Sequence, residues 1–155
     1  MKHDFEELYA ALVAEGFRKK GRLLLYEFPS GILVVRPSGF RDIFSIFFGI
    51  WLDNFEPRTK TLLPYEAPIE GNVSDLCGIR LRFDTPENPD RTLRLEERFD
   101  KDYRFSLARI PEVAACLKHY ANEEVLARAY ADQSLKWHLF RVRVRDYLAR
   151  KVAQT

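Results

Sequence analysis

The hydrophobic pattern divides the chain into a helical start, a β-rich middle and a helical end. Phe5, Leu8, Tyr9, Leu12 and Val13 recur at i, i+3, i+4, i+7 and i+8, the stripe of a helix with one buried face. Asp4 with Glu7 three residues on makes a capping box built on aspartate, and Gly16 supplies a left-handed stop onto which Phe17 can fold back. The pattern predicts a helix over 4–16. Arg22–Phe28 and Ile32–Arg36 read as strands on either side of Pro29-Ser30-Gly31. Proline at the second turn position and glycine at the fourth suit a type I turn, so these strands are expected to pair as a hairpin. A second Pro-Ser-Gly, at 37–39, is expected to open a loop. Ile43–Leu52 is apolar on both faces, so a strand there needs two covers. One helix layer supplies the first; a ligand cleft or a second copy of the chain could supply the other.

Residues 53–76 hold Pro57, Pro64, Pro68 and Gly71 and read as a long irregular connection, the kind of loop that often carries function. Gly78–Phe83 alternates apolar and polar as a half-exposed strand, 85–90 reads as loop, and Thr92–Leu95 as one more short strand. From Pro111 the period becomes helical, with Val113, Ala114, Leu117 and Tyr120 on one side. Asn122 can cap a second helix from Glu123 to about Asp132, and Ser134 a third to about Ala153. Within that third segment Phe140, Val142 and Val144 alternate with arginines like a strand. Trp137, Phe140, Val144, Tyr147 and Leu148 form a helical stripe, and length favours helix. The expectation is one α+β domain over 1–155: an N-terminal helix, a mostly antiparallel sheet of four to five strands, and C-terminal helices packed on it.

Composition narrows the class of protein. The chain has 155 residues, with 25 Lys and Arg against 23 Asp and Glu and 46% hydrophobic residues. That is enough apolar material for a core and too little net charge to demand a polyanionic partner. The N-terminus carries Asp4, Glu6 and Glu7 where a signal peptide needs an unbroken apolar run. Ile43–Leu52 as a helix would reach only about 15 Å, half a bilayer core. The chain therefore reads as soluble and cytoplasmic, with no membrane partner. Cys77 and Cys116 are too few and too far apart in sequence for a disulfide framework or a zinc site, and both thiols are expected to be reduced.

Catalytic motifs are sparse. The chain has no glycine-rich phosphate loop, His-Glu-x-x-His, Gly-x-Ser-x-Gly or Cys-x-x-Cys. His3, His119 and His138 lie at no metal-ligand spacing. Asp90 with Glu96, Glu97, Asp100 and Asp102 loosely follows the carboxylates of metal-dependent nucleases. A hydrolase or nuclease using residues 90–102 is thus one alternative. Arg98 stands where that chemistry needs a lysine and cannot act as a base, so a solvated charged segment is the stronger reading. The inventory names no catalytic residue, no metal ligand and no cofactor.

Basic residues gather twice. Arg18, Lys19, Lys20 and Arg22 lie together without an acid. Between 136 and 151, Lys136, Arg141, Arg143, Arg145, Arg150 and Lys151 face Asp146 alone. Arg18, Lys19, Lys20, Arg141, Arg143 and Arg145 could grip a nucleic-acid backbone, a second alternative; charge runs are more often solvated faces or paired within the fold. The leading expectation is a non-catalytic binding or interaction module, a homodimer being one form. Its ligand or partner surface is expected at Trp51, Phe55 and Tyr65, on the aromatic strand and the proline-rich loop.

One further pattern is familiar. Gly16-Phe17-Arg18-Lys19-Lys20-Gly21 ends the first helix, Tyr26 follows, then the aromatic strand Phe44-Ser45-Ile46-Phe47-Phe48-Gly49-Ile50 and later Cys77-Gly78-Ile79-Arg80-Leu81-Arg82. Over its first two-thirds the chain resembles a family of small bacterial domains of unknown function. It departs from that family at Gly78, where members carry histidine, and at Pro37-Ser38, where they carry Gln-Ser. The resemblance implies an α+β fold and brings no catalytic residues.

Overall fold

The computed structural model describes residues 5–40, 43–79, 83–84, 104–105 and 108–154, with backbone alone at 39–40, 43–44, 83–84 and 104–105. The first helix, α1 (Glu6–Ala14), buries Leu8 and Leu12. It ends as the glycine requires. Gly16 takes φ +102°, its N–H bonds the Val13 carbonyl at 3.0 Å, and the Phe17 N–H reaches the Leu12 carbonyl at 3.1 Å. This is the Schellman closure, and it seats Phe17 in the core beside Leu12. Asp4, the expected cap, lies outside the described residues.

Five strands then run as an antiparallel meander in the order β1 (Arg18–Lys20), β2 (Leu23–Phe28), β3 (Gly31–Phe40), β4 (Ile43–Leu52) and β5 (Ile69–Asn72). The hairpin at Pro29-Ser30 pairs Phe28 with Gly31. The second Pro-Ser-Gly does not open a loop: Pro37, Ser38 and Gly39 continue β3, opposite Ile46, Ser45 and Phe44. Proline is tolerated there because β2 pairs with β3 only as far as Val35, so the missing N–H falls on a side with no ladder. The expected irregular stretch 53–76 also shortens. Its last part folds as β5 and a short helix, α2 (Val73–Cys77).

Phe83–Asp84 (β6) and Arg104–Phe105 (β7) make a separate two-stranded ribbon. The ribbon includes the end of the strand expected at 78–83; the strand expected at 92–95 lies outside the described residues. Pro111 sits in the first turn of α3 (Ile110–Tyr120). Asn122 caps α4 (Glu123–Ala131), its side chain accepting from the Val125 N–H at 3.1 Å. The helix expected from Ser134 begins later. Residues 137–139 form a turn of 3₁₀ helix, Phe140 is extended and bridges Ile69 of β5, and α5 runs Val142–Ala153. Of the strand-like alternation from Phe140 to Arg145, only Phe140 pairs with the sheet; Val142 to Arg145 are helix, as length favours.

The expected α+β fold is thus the observed one. One sheet face, carrying Leu24, Leu33, Val35, Ile46, Phe48, Ile50 and Leu52, packs on helical residues that include Leu117, Leu126, Val144 and Leu148. The other face holds a smaller core of Leu25, Ile32, Val34, Trp51 and Ala67. No described helix is long and apolar enough to cross a membrane.

Cys77 at the end of α2 and Cys116 on α3 form a disulfide, with Cα atoms 5.9 Å apart. This corrects the expectation of reduced thiols. Separation in sequence says nothing about separation in a fold that brings α2 against α3. With the two cysteines 39 positions apart, chain entropy alone predicts a loss of about 2–4 kcal/mol on reduction. Urea unfolding with and without reductant measures it, and coincident curves would show that the bond contributes nothing.

Gly49 explains how the second face closes. A Cβ at this position would lie 2.8 Å from both the Cα and the carbonyl oxygen of Pro64, so the bare backbone is what lets the loop sit on β4. Gly49→Ala is expected to lower stability by about 1–3 kcal/mol through overpacking, read as a lower urea midpoint at unchanged slope.

Candidate interaction surface

The segment 53–68 is a pinned cover. It leaves β4 on the helix side, where the Phe55 ring lies 5.1 Å from Tyr147 of α5. It then crosses to the other face, where Leu62 and Ala67 join Trp51 in the small core. Three arginines hold it. Arg58 donates to both Asp53 oxygens at 2.9 Å and to Glu27 of β2 at 2.8 Å. The Asp53 and Glu27 carboxylates push the guanidinium above the usual arginine value. Arg143 donates to Glu56 at 2.8 Å and to the Glu66 carbonyl at 3.1 Å. Arg141 donates to the Tyr65 carbonyl at 2.8 Å and lies 3.2 Å from Glu70. Two of the arginines expected to grip phosphate are thus engaged within the fold. Such bidentate and forked contacts are what guanidinium geometry favours.

These contacts settle the second cover of β4: it is the chain's own loop. Trp51, expected on the ligand surface, is fully buried beneath it. Its indole N–H has no hydrogen-bond partner among the described residues, a cost of about 1–3 kcal/mol that the surrounding burial must offset. Phe55 is half-buried against Tyr147. Tyr65 alone of the three stays at the surface, 62% exposed. Periodicity could show that Trp51 was buried on a two-sided strand, but not by what.

Around Tyr65 the structure gathers side chains that sequence reasoning missed. Trp137 is 68% and Val142 77% exposed. Arg145, one helical turn from Val142, lies over the Trp137 ring at 5.0 Å and donates to the Phe140 carbonyl at 3.0 Å. Arg141, between Phe140 and Val142, makes the bond to Tyr65. Of the five large apolar side chains exposed among the described residues, three therefore lie at the β5 edge. The available signal was the tryptophan itself. It had been assigned to a helical stripe, whereas it stands on the 3₁₀ turn before α5.

Elsewhere, Glu123 is buried at the start of α4, accepts a hydrogen bond from the Tyr147 hydroxyl and has the Lys151 ammonium 3.6 Å away. Burial, and then this hydrogen bond, push the Tyr147 hydroxyl above its ordinary value. The group locks α4 to α5. His138 is 3.7 Å from Asp75, which also accepts from Lys136; His119 stacks edge-on with Tyr120. Among the described residues no three His, Cys, Asp or Glu side chains cluster to hold a metal. His3 and the carboxylates at 90–102 lie outside them.

Arg18, Lys19 and Lys20 form β1, all exposed. They occupy the sheet edge opposite β5, about 19 Å across four strand spacings, so the two basic clusters do not make one surface. No protein family, curated protein or solved structure matches this chain.

The two tryptophans give a direct check. Trp137→Phe is expected to remove most acrylamide-quenchable fluorescence and shift the emission to the blue, leaving the buried Trp51. A remaining signal as quenchable as wild type would place Trp51 at the surface.

Proposed function

We propose that this chain is a non-catalytic binding module that recognises a partner protein through the surface around Trp137. The observation that carries the reading is the association of exposed Trp137, Val142 and Tyr65 with Arg145 at one sheet edge. Tryptophan, tyrosine and arginine are the side chains that most often dominate binding energy at protein interfaces, where an apolar centre sits within a polar rim. The neighbouring charges of Arg141, Arg143 and Lys136 are already balanced by Glu70, Glu56 and Asp75, so the surface suits a partner read by shape and apolar contact.

Cytoplasmic residence belongs to the same proposal. The Cys77–Cys116 bond would then have to form against a reducing thiol pool, as redox-linked cystines do. Membership of the family of small bacterial domains is proposed on the quoted motifs alone.

The test is photo-crosslinking from a benzoylphenylalanine placed at exposed position 138, in the native host, with products identified by mass spectrometry. The expected result is one discrete partner, lost when Trp137→Ala is added to a chain that still folds. Crosslinks unchanged by Trp137→Ala would overturn the reading. Crosslinks only to a second copy, with a dimer in sedimentation, would replace it by self-association.

A further inference from the structure

Charge is distributed unevenly between the two sheet edges. Near β5, Arg141 and Arg143 are paired with acids. At the β1 edge, among the described residues, Arg18, Lys19, Lys20, Arg22, Arg36 and Lys118 make no ion pair. The formal excess of the whole chain is only +2, so this edge holds an unbalanced share of the positive charge.

Four of these cations, Lys19, Arg22, Arg36 and Lys118, bear on two tyrosines. The Tyr9 hydroxyl of α1 donates to the Arg22 carbonyl at 2.7 Å, and the Lys19 ammonium lies 5.0 Å from the Tyr9 ring. Burial pushes the Tyr9 hydroxyl up while the charges of Arg22 and Arg36 pull it down, so both guanidiniums act on the same phenol. Lys118 of α3 lies 6.0 Å from the Tyr26 ring, which packs on Phe17 just before β1. The strand itself is the last of its sheet among the described residues, so its outer N–H and C=O groups have no partner strand there. Lysine, arginine, tyrosine and free backbone N–H groups are the donors proteins place against phosphate oxygens.

We infer that the β1 edge binds the sugar–phosphate backbone of single-stranded nucleic acid, through Arg18, Lys19 and Lys20 with Arg22 and Arg36 beside them. This surface is separate from that around Trp137 and does not depend on it. A membrane surface fits less well, because interfacial binding needs an apolar face to insert. Val13, one turn along α1 from Tyr9, is the one large apolar side chain exposed on that helix among the described residues. Recognition here is electrostatic and indifferent to base sequence.

The experiment is fluorescence anisotropy of the full chain with labelled mixed-sequence single-stranded RNA and DNA over a salt series. Phosphatidylserine vesicles run in parallel in a sedimentation assay. Binding should weaken with salt at a logarithmic slope of roughly −2 to −4, the value for three to five neutralised phosphates. The triple variant Arg18→Ala, Lys19→Ala, Lys20→Ala should lose at least about tenfold in affinity and flatten the slope by about two. Arg22→Gln with Arg36→Gln, which leaves the strand intact, should show a smaller loss in the same direction. Arg128→Ala with Arg150→Ala, two exposed arginines away from this edge, should leave affinity within about twofold of wild type. No binding at 50 mM salt, or binding retained by both β1-edge variants, overturns the inference. Binding to vesicles alone overturns it in favour of a lipid surface. A wild type that binds nothing, beside a triple variant that self-associates, would show that the charges only protect a bare edge from pairing.

Discussion

A strand that is apolar on both faces cannot stand at the surface of a monomer, and β4 is such a strand. Phe48, Ile50 and Leu52 point into the helical core, and Trp51 points away from it. Transferring a tryptophan-sized surface out of water stabilises by several kcal/mol, at about 25 cal/mol per Å². The chain captures that energy by folding residues 53–68 back over the far face. A polar, proline-rich segment would not stay there unaided, because ordering it costs conformational entropy at every residue. Gly49 lets Pro64 approach the sheet backbone, and Arg58, Arg141 and Arg143 hold the segment to β2 and to the start of α5.

That solution shapes what the surface can do. Arginines used to clamp a loop are paired with Asp53, Glu27, Glu56 and Glu70, so Arg141 and Arg143 at the β5 edge are engaged within the fold. Beside them Tyr65, Trp137 and Val142 stay exposed. At the opposite edge the β1 cations make no ion pair among the described residues. A near-neutral chain thus presents two unlike edges, one with exposed aromatic side chains beside paired arginines and one lined by Arg18, Lys19 and Lys20. The disulfide from α2 to α3 and the Glu123–Tyr147 contact belong to the scaffold that holds the edges apart.

Legibility followed the range of each interaction. The first helix and its glycine stop, the hairpin at Pro29-Ser30, β4 to the residue, the Asn122 cap and the proline that opens α3 all follow from neighbours within a few positions. The errors came where a distant partner overrode a local signal. Pro37-Ser38-Gly39 looks like a turn but continues β3, because β2 no longer pairs at that point. Ser134 looks like a cap, but Phe140 is drawn out of helix by its bridge to Ile69. Trp51 and Trp137 exchanged roles for the same reason: one lies under a loop and the other on a 3₁₀ turn, and neither placement is encoded in the few residues around it.

From the sequence alone came the α+β class, the two-sided burial of β4, the absence of a recognisable catalytic motif and the existence of two basic clusters, all of which depend on residue type and short-range periodicity. Only the tertiary structure decided what covers β4, which arginines pair with acids of the fold, that Cys77 meets Cys116, and that Tyr65 shares an edge with Trp137. Each of these is a meeting of residues dozens of positions apart. Pairing at that range is selected by how the whole core closes, and no local pattern carries it.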